Sequence, residues 1–319
     1  MKRILSAAVI TLLLSGCNRT LVDEFRNGLP KKEMVEVKTP GNDSTAPVRS
    51  QGSALQGDRS DSYRMTRAAT VTVNGATLSV LGLIKAITDH RPTTIDENQA
   101  VWGPSVPEAL EPHIYRLTVT KSAEGAFSYA LEGKDKTLGD DAYVILISGN
   151  HQATATEGRG SGSFLLDFDA AQTLPEHDAL VGAVTVDYAR ADETDVITVA
   201  AEFDNVNDGH GGRDDFSYRY SKTPGTGGTF DFLTREDIHH DPAMSLPEKL
   251  TVRSRWNEQG AGRSDYQVTE GNLSSAVTGN ECWDTSFDSQ YLNASWNPSA
   301  NYGDEASACA FTPAEYSSL

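Results

Sequence analysis

The residues able to do chemistry fall into a few clusters, and spacing decides what each could do. Asp204-Asn-Val-Asn-Asp208-Gly-His-Gly-Gly-Arg-Asp214-Asp215 is rich in oxygen ligands and glycine, a composition that suits Ca²⁺. Val206 and Gly209 fall at the wrong places for an EF-hand loop. The same residue types are the usual turn formers, so the plainer reading is an acidic hairpin loop. His239-His240-Asp241 is a second cluster. Adjacent side chains on a strand point to opposite faces, so these imidazoles chelate together only in a loop. The plainer reading is a surface turn before Pro242. Ser161 and Ser163 lie among glycines but lack the Gly-x-Ser-x-Gly of a nucleophile elbow. There is no His-Glu-x-x-His pair and no P-loop. Glu236/Asp237 is a carboxylate pair, but a chain with 45 acidic residues has many such pairs by chance. Gly158-Arg-Gly-Ser-Gly162 and Gly260-Ala-Gly262-Arg263 have the composition of phosphate cradles. A dinucleotide loop needs a helix after it, and strand candidates follow here, so hairpins and strand kinks are expected. No catalytic residue, metal ligand or cofactor is assigned.

One cysteine has a more specific context. Lys2 and Arg3 form a short positive start, Ile4 to Leu14 is an almost unbroken apolar run, and Leu14-Ser15-Gly16-Cys17 closes it. A permanent membrane helix needs about 20 apolar residues, so this reads as a secretory signal peptide. Leu-Ser-Gly-Cys resembles the lipobox of bacterial lipoproteins. The resemblance implies that the Cys17 sulfur receives a diacylglyceryl group and that cleavage falls between Gly16 and Cys17. It also implies that the new amine is acylated, with palmitate among the expected acyl groups. In that family an Asp after the Cys retains the protein at the inner membrane. Asn18 stands there instead, which implies the outer membrane. The plainer alternative is an ordinary secretory signal with an incidental Cys. Each buried CH₂ contributes about 0.8 kcal/mol and one chain holds only marginally, so two or three chains on Cys17 make a lasting membrane anchor.

With Cys17 lipidated, Cys282 and Cys309 remain as an even pair in an oxidising compartment. A disulfide between them is predicted, contributing roughly 3–4 kcal/mol in the chain-entropy model. Two Cys so far apart without paired His make a poor zinc site. Loss of the signal removes Lys2 and Arg3, so the 27 basic residues fall to 25 against 45 acidic ones and the formal charge moves from −18 to −20. Such a chain repels nucleic acid, and none is expected as a partner.

The elements that must position these residues come in three parts. Residues 1–16 are the signal. Residues 17–66 are rich in Pro, Gly, Ser, Asp and Asn and read as a lipid-anchored flexible tether. Residues 67–319 read as a single β-rich domain. One helix is expected at about 76–90, with Asn74 as N-cap, a face of Leu78, Leu81, Leu83, Ile84 and Ile87, and Pro92 as the stop. No stretch beyond the signal approaches 18 apolar residues, so no membrane helix is expected. From about Glu111 the period changes to two, as in Tyr115, Leu117 and Val119, or Phe127, Tyr129 and Leu131. Tyr143 to Ile147 is more continuously apolar and is expected to be covered on both faces. Ten to twelve strand candidates with short polar connections predict antiparallel neighbours with one wet face. The expected fold is mainly β, an up-and-down antiparallel meander curved into a barrel or half-barrel, with the helix on its inner face and a disordered N-terminal tether. Its strands are short for a membrane-embedded barrel.

The function that follows is an envelope-anchored lipoprotein acting as a non-catalytic binding or structural module, with an apolar ligand among its candidate partners. Meanders with a helix on the concave face resemble lipocalin-like and lipoprotein-carrier architectures, an analogy of fold only. The alternatives are a surface protein-interaction module and a hydrolase of envelope polymers using Asp and Glu. Trp256–Asp265 and Glu281–Phe287 are the least generic stretches. They resemble segments of uncharacterised bacterial envelope lipoproteins, which implies no activity. Here Arg263 and Asp265 are expected to pair across a hairpin, and Trp283 to cover the disulfide.

Overall fold

The computed structural model describes residues 21–41, 55–105, 112–177, 179–207, 212–237 and 246–319. Among the described residues fourteen strands form one up-and-down sheet in chain order, from β1 (Thr94–Ile95) to β14 (Ser289–Ala294), and it does not close. The mainly β, antiparallel meander predicted by the period-two pattern is present. The chain divides into two compact units.

The first unit comprises Ser79–Asp187 and, of the described N-terminal residues, 21–34. Its strands are β1, β2 (Gln99–Trp102), β3 (His113–Lys121), β4 (Phe127–Asp135), β5 (Val144–Ala153), β6 (Gly160–Asp167) and most of β7 (Ala183–Arg190). Leu117 and Val119 of β3 face Leu131 and Tyr129 of β4 across the ladder, and all four are buried. That is the core which alternation dictates. Part of the expected tether also contributes here. Phe25, Leu29 and Met34 are buried. Phe25 meets Phe127 edge-on with ring centroids 5.9 Å apart, and Gly28 lies so close to Phe127 that a Cβ would fall 2.3 Å from its ring. Of the rest of the expected tether, 17–20 and 42–54 lie outside the described residues, as does Cys17, while 35–41 and 55–66 belong to the second unit and 61–66 open the long helix Asp61–Thr88. The run at Tyr143 to Ile147 is not covered on both faces, because Ile145 is exposed while Ile147 is buried. Both faces of a strand are buried only where something packs on each.

The second unit comprises Val35–Leu78 and Tyr188–Leu319. It holds β8 (Ile197–Asn207), β9 (Arg213–Thr223), β10 (Gly227–Glu236), β11 (Glu248–Asn257), β12 (Gly262–Glu270), β13 (Val277–Trp283) and β14. Phe232 stands between Tyr218 and Val252, and Phe230 between Tyr220 and Ser254. These rings, with Trp256 and Trp283, fill one face of the sheet. Both Gly-rich stretches sit in strand–turn–strand connections. Gly158 turns β5 into β6, and Gly260, at φ +95°, turns β11 into β12. Gly262 is under the Trp283 indole, where a Cβ would fall 2.3 Å from the ring.

The expected helix at 76–90 is longer, Asp61–Thr88. Ser60 is its cap, accepting from Tyr63 N at 3.1 Å. The first half was hidden because its buried stripe is polar: Ser62, Thr66 and Thr70. Thr66 donates to Ser62 O, and Thr70 to Thr66 O, so the hydroxyls are satisfied inside the helix. Asn74 is not an N-cap. It lies mid-helix and takes both backbone groups of Val37, accepting from Val37 N at 2.9 Å and donating to Val37 O at 2.8 Å. By length and composition this helix is apolar enough to cross a membrane, contrary to the sequence expectation. Ala, Gly, Ser and Thr make up much of it, and no charge stands between Arg67 and Lys85. One face is nevertheless buried, with Tyr63 in the second unit and Leu81 and Ile84 in the first.

Candidate functional site

The densest polar construction among the described residues lies on the face of β11, β12 and β13 opposite the aromatic core. Arg253, Arg255, Arg263 and Asp265 alternate along β11 and β12, so the pleat puts them on one face. The register sets Arg253 beside Asp265, Arg255 beside Arg263, and Asp265 beside Asn280 of β13. Alternation predicts a wet face here. Instead the C-terminal segment covers it, and Arg263 and Asp265 are only 1% and 0% exposed.

Asp265 is the hub. Its Oδ1 accepts from Arg263 Nε at 2.6 Å and Asn280 Nδ2 at 2.9 Å. Its Oδ2 accepts from Arg255 Nη2 at 2.9 Å and Glu315 N at 3.0 Å. Four donors use up the acceptor capacity of one carboxylate. Arg263 and Asp265 therefore pair two residues apart along one strand, not across the hairpin. Arg263 Nη1 reaches Glu305 and donates to Phe311 O at 3.1 Å. Burial works against the Arg263 cation, but Asp265 and Glu305 outweigh it and raise its pKa. On β10, burial raises the Asp231 pKa, opposed by the Arg253 guanidinium 3.0 Å away. Cys282 and Cys309 form a disulfide that ties the C-terminal segment to β13. Trp283 does not cover it. Its ring packs on Gly262 and Tyr63, and its Nε1 donates to Gly260 O at 2.9 Å.

A second polar cluster joins the opposite face of the same strands to the long helix. Glu281 Oε2 accepts from Ser62 N at 2.8 Å and Ser62 Oγ at 2.5 Å. A carboxylate thus sits at the helix N-terminus, where the backbone N–H groups and the helix dipole favour it. Thr66, Ser254 and Ser264 continue the cluster as a hydroxyl chain with 2.6 Å links. Thr66 spends its proton on Ser62 O, so the donors run from Ser264 to Ser254 to Thr66.

The other sequence candidates are placed as follows. The Asp204–Asp215 stretch runs from the end of β8 through the β8–β9 connection into the start of β9, with 208–211 outside the described residues. Asp214 lies 3.6 Å from Arg235, and Asp215 accepts from Asn205 N at 2.9 Å. Among the described residues no three His, Cys, Asp or Glu converge on a metal position. His239, His240 and Asp241 lie outside the described residues. Arg255, Glu305 and Glu315 were not singled out from sequence, and Asp265 was singled out only as a hairpin partner of Arg263. The period-two charges of Arg253–Arg255 and Arg263–Asp265 were a legible signal of one shared face, and Cys309 was the marker that a distant segment covers it.

The model of the prokaryotic membrane lipoprotein lipid attachment site matches residues 1–18. No curated protein and no solved structure matches the chain. The attachment site makes this an envelope lipoprotein anchored to a membrane through its lipidated N-terminus.

Proposed function

We propose that this lipoprotein is a non-catalytic binding or structural module that works through its outer surface. The observation that carries this is how the interior of the second unit is used. The apolar face of its sheet is filled by the chain's own Tyr218, Phe230, Val252 and Trp283. The buried carboxylate of Asp265 has all its lone pairs engaged and no route to a substrate. Cys17 is the lipidated residue, supported by the attachment site over 1–18. Asn18 in place of Asp supports the outer membrane.

A second reading, an apolar ligand, is favoured by one feature. Ala68, Thr72, Gly75, Ser79, Gly82 and Ala86 form an exposed, uncharged seam on the long helix, opposite its buried stripe, and Val71 and Leu83 beside it are exposed. The test is made on the chain from Asn18 onward, secreted without its anchor. That start keeps Phe25, Leu29 and Met34, which are buried. The protein is extracted with organic solvent and the extract read by mass spectrometry, and cross-linking is done in the intact envelope. An empty protein with one specific cross-linked partner is expected. Lipid at near one per chain would overturn the surface reading in favour of the apolar ligand.

A further inference from the structure

From Gly303 to Leu319 no residue is buried and none is in a strand, yet this segment covers the buried charges of Arg255, Arg263 and Asp265. Its holds are polar. Arg263 donates to Phe311 O, Arg255 Nη2 donates to Pro313 O at 3.0 Å, and Asn280 Nδ2 donates to the Tyr316 hydroxyl at 3.1 Å. Arg253 and Arg255 approach the Glu315 carboxylate at 3.4 and 2.7 Å. Glu305 and Glu315 are 40% and 50% exposed, whereas the guanidiniums they cap are largely buried. Apolar burial is the usual force that keeps a segment docked. Here a covalent bond, Cys282–Cys309, does so. Cys282 is buried and Cys309 partly exposed, so an external thiolate meets the Cys309 sulfur first.

We propose that this face of β11–β13 is a binding site for an acidic peptide. In the oxidised chain its own Glu305–Leu319 segment occupies the site, and reduction of Cys282–Cys309 opens it. The inference rests on reading the protein as a surface binding module and names the chemistry of its partner. The site offers guanidiniums to two carboxylates and to two main-chain carbonyls, and a carboxylate to one main-chain N–H. With the segment gone, three arginines face Asp231 and Asp265, a cationic patch on a chain of net charge −18 that draws in acidic partners. A dithiol donor supplies the electrons. Its thiolate bonds to Cys309 Sγ, the Cys282–Cys309 bond breaks, and Cys282 leaves as a thiolate that takes a proton. The donor's second thiol then displaces Cys309, leaving two protein thiols and the donor as a disulfide.

The test mixes the full chain in detergent with a fluorescent synthetic peptide of residues 303–319 carrying Cys309→Ser, with and without dithiothreitol. Anisotropy reads binding, and amide exchange reads the segment. The oxidised chain should leave the peptide free. The reduced chain should bind it, and Arg253→Gln should weaken that binding about tenfold. Exchange at Glu315, whose N–H is held by Asp265, should speed up about tenfold or more on reduction, with Leu117 and Val119 unchanged. Peptide bound by both forms or by neither overturns the proposal. So does reduction that speeds exchange throughout the sheet, since the disulfide would then be a staple of the whole fold. A failed titration on a chain that extracts free of lipid overturns this inference alone. Stoichiometric lipid overturns the surface reading whatever the titration shows.

Discussion

Two buried titratable side chains show how environment, rather than residue type, sets what a group contributes. Asp265 is enclosed by Arg255, Arg263 and Asn280. Removing one member of a buried ionic set strands the others. Asp265→Asn should therefore cost about 3–5 kcal/mol in urea unfolding, whereas Glu315→Gln, at a half-exposed site, should cost about 1 kcal/mol or less. Equal costs would mean that the network does not act as a unit. His151 on β5 is the other case. Burial lowers its pKa from 6.5 to about 4, with a smaller push from Lys31, and Gly160 is so close that a Cβ there would fall 2.4 Å from the ring. The unfolded chain takes up the proton below pH 6.5 and the folded chain only below about 4. The unfolded state binds more protons in that window, so stability is full above pH 6.5 and falls as pH drops toward 4. The loss is about 3 kcal/mol. Urea midpoints of the native chain and His151→Gln across this range should converge as pH falls, and parallel curves would refute it.

The long helix is held at both ends by groups that suit its dipole. Glu281 receives its N-terminal Ser62 N–H. At the other end Arg26 donates to Thr88 O at 2.8 Å and to Asp89 O and His90 O at 3.2 Å. Carbonyls at a helix end have no partner within the helix, so a cation there supplies one. Arg26→Ala should release the last turn, raising amide exchange at Asp89 and His90 about tenfold while Leu81 stays protected. Glu281→Gln should cost about 1 kcal/mol by loss of the charge–dipole term. Only the second half of this helix was legible in the sequence. Leu81 and Ile84 mark a helical face by hydropathy, whereas Ser62, Thr66 and Thr70 mark one only once their hydroxyls are seen bonded, Ser62 to Glu281 and the two threonines to the preceding turn. Asn74 has the side chain of a cap, but Val37, far away in sequence, claims it. The strands were legible because alternation reports a pleat directly, as at Phe127, Tyr129 and Leu131. Alternation cannot report what lies over a face. Arg253 and Arg255 therefore read as solvated, although a segment beginning near Gly303 covers them.

At the scale of the whole molecule, anchorage and charge act against each other. The formal charge of −18, which becomes −20 once Lys2 and Arg3 leave, repels an anionic lipid face. Retention must then come from acyl chains on Cys17, where each buried CH₂ contributes about 0.8 kcal/mol. Cys17→Ser removes the sulfur that takes the diacylglyceryl group while leaving Lys2, Arg3 and the apolar run that direct export. Cells carrying it should export a chain that takes up no labelled fatty acid and partitions into the aqueous phase of a detergent separation. The native chain should enter the detergent phase and stay there after a high-salt wash, because acyl burial is insensitive to ionic screening. If the variant stays membrane-bound at low and high salt alike, lipidation is not the anchor. The one described element long and apolar enough to replace it is the helix Asp61–Thr88. A charge set into its exposed seam, Gly75→Lys, would then release the variant, and failure to release it would exclude the helix as well.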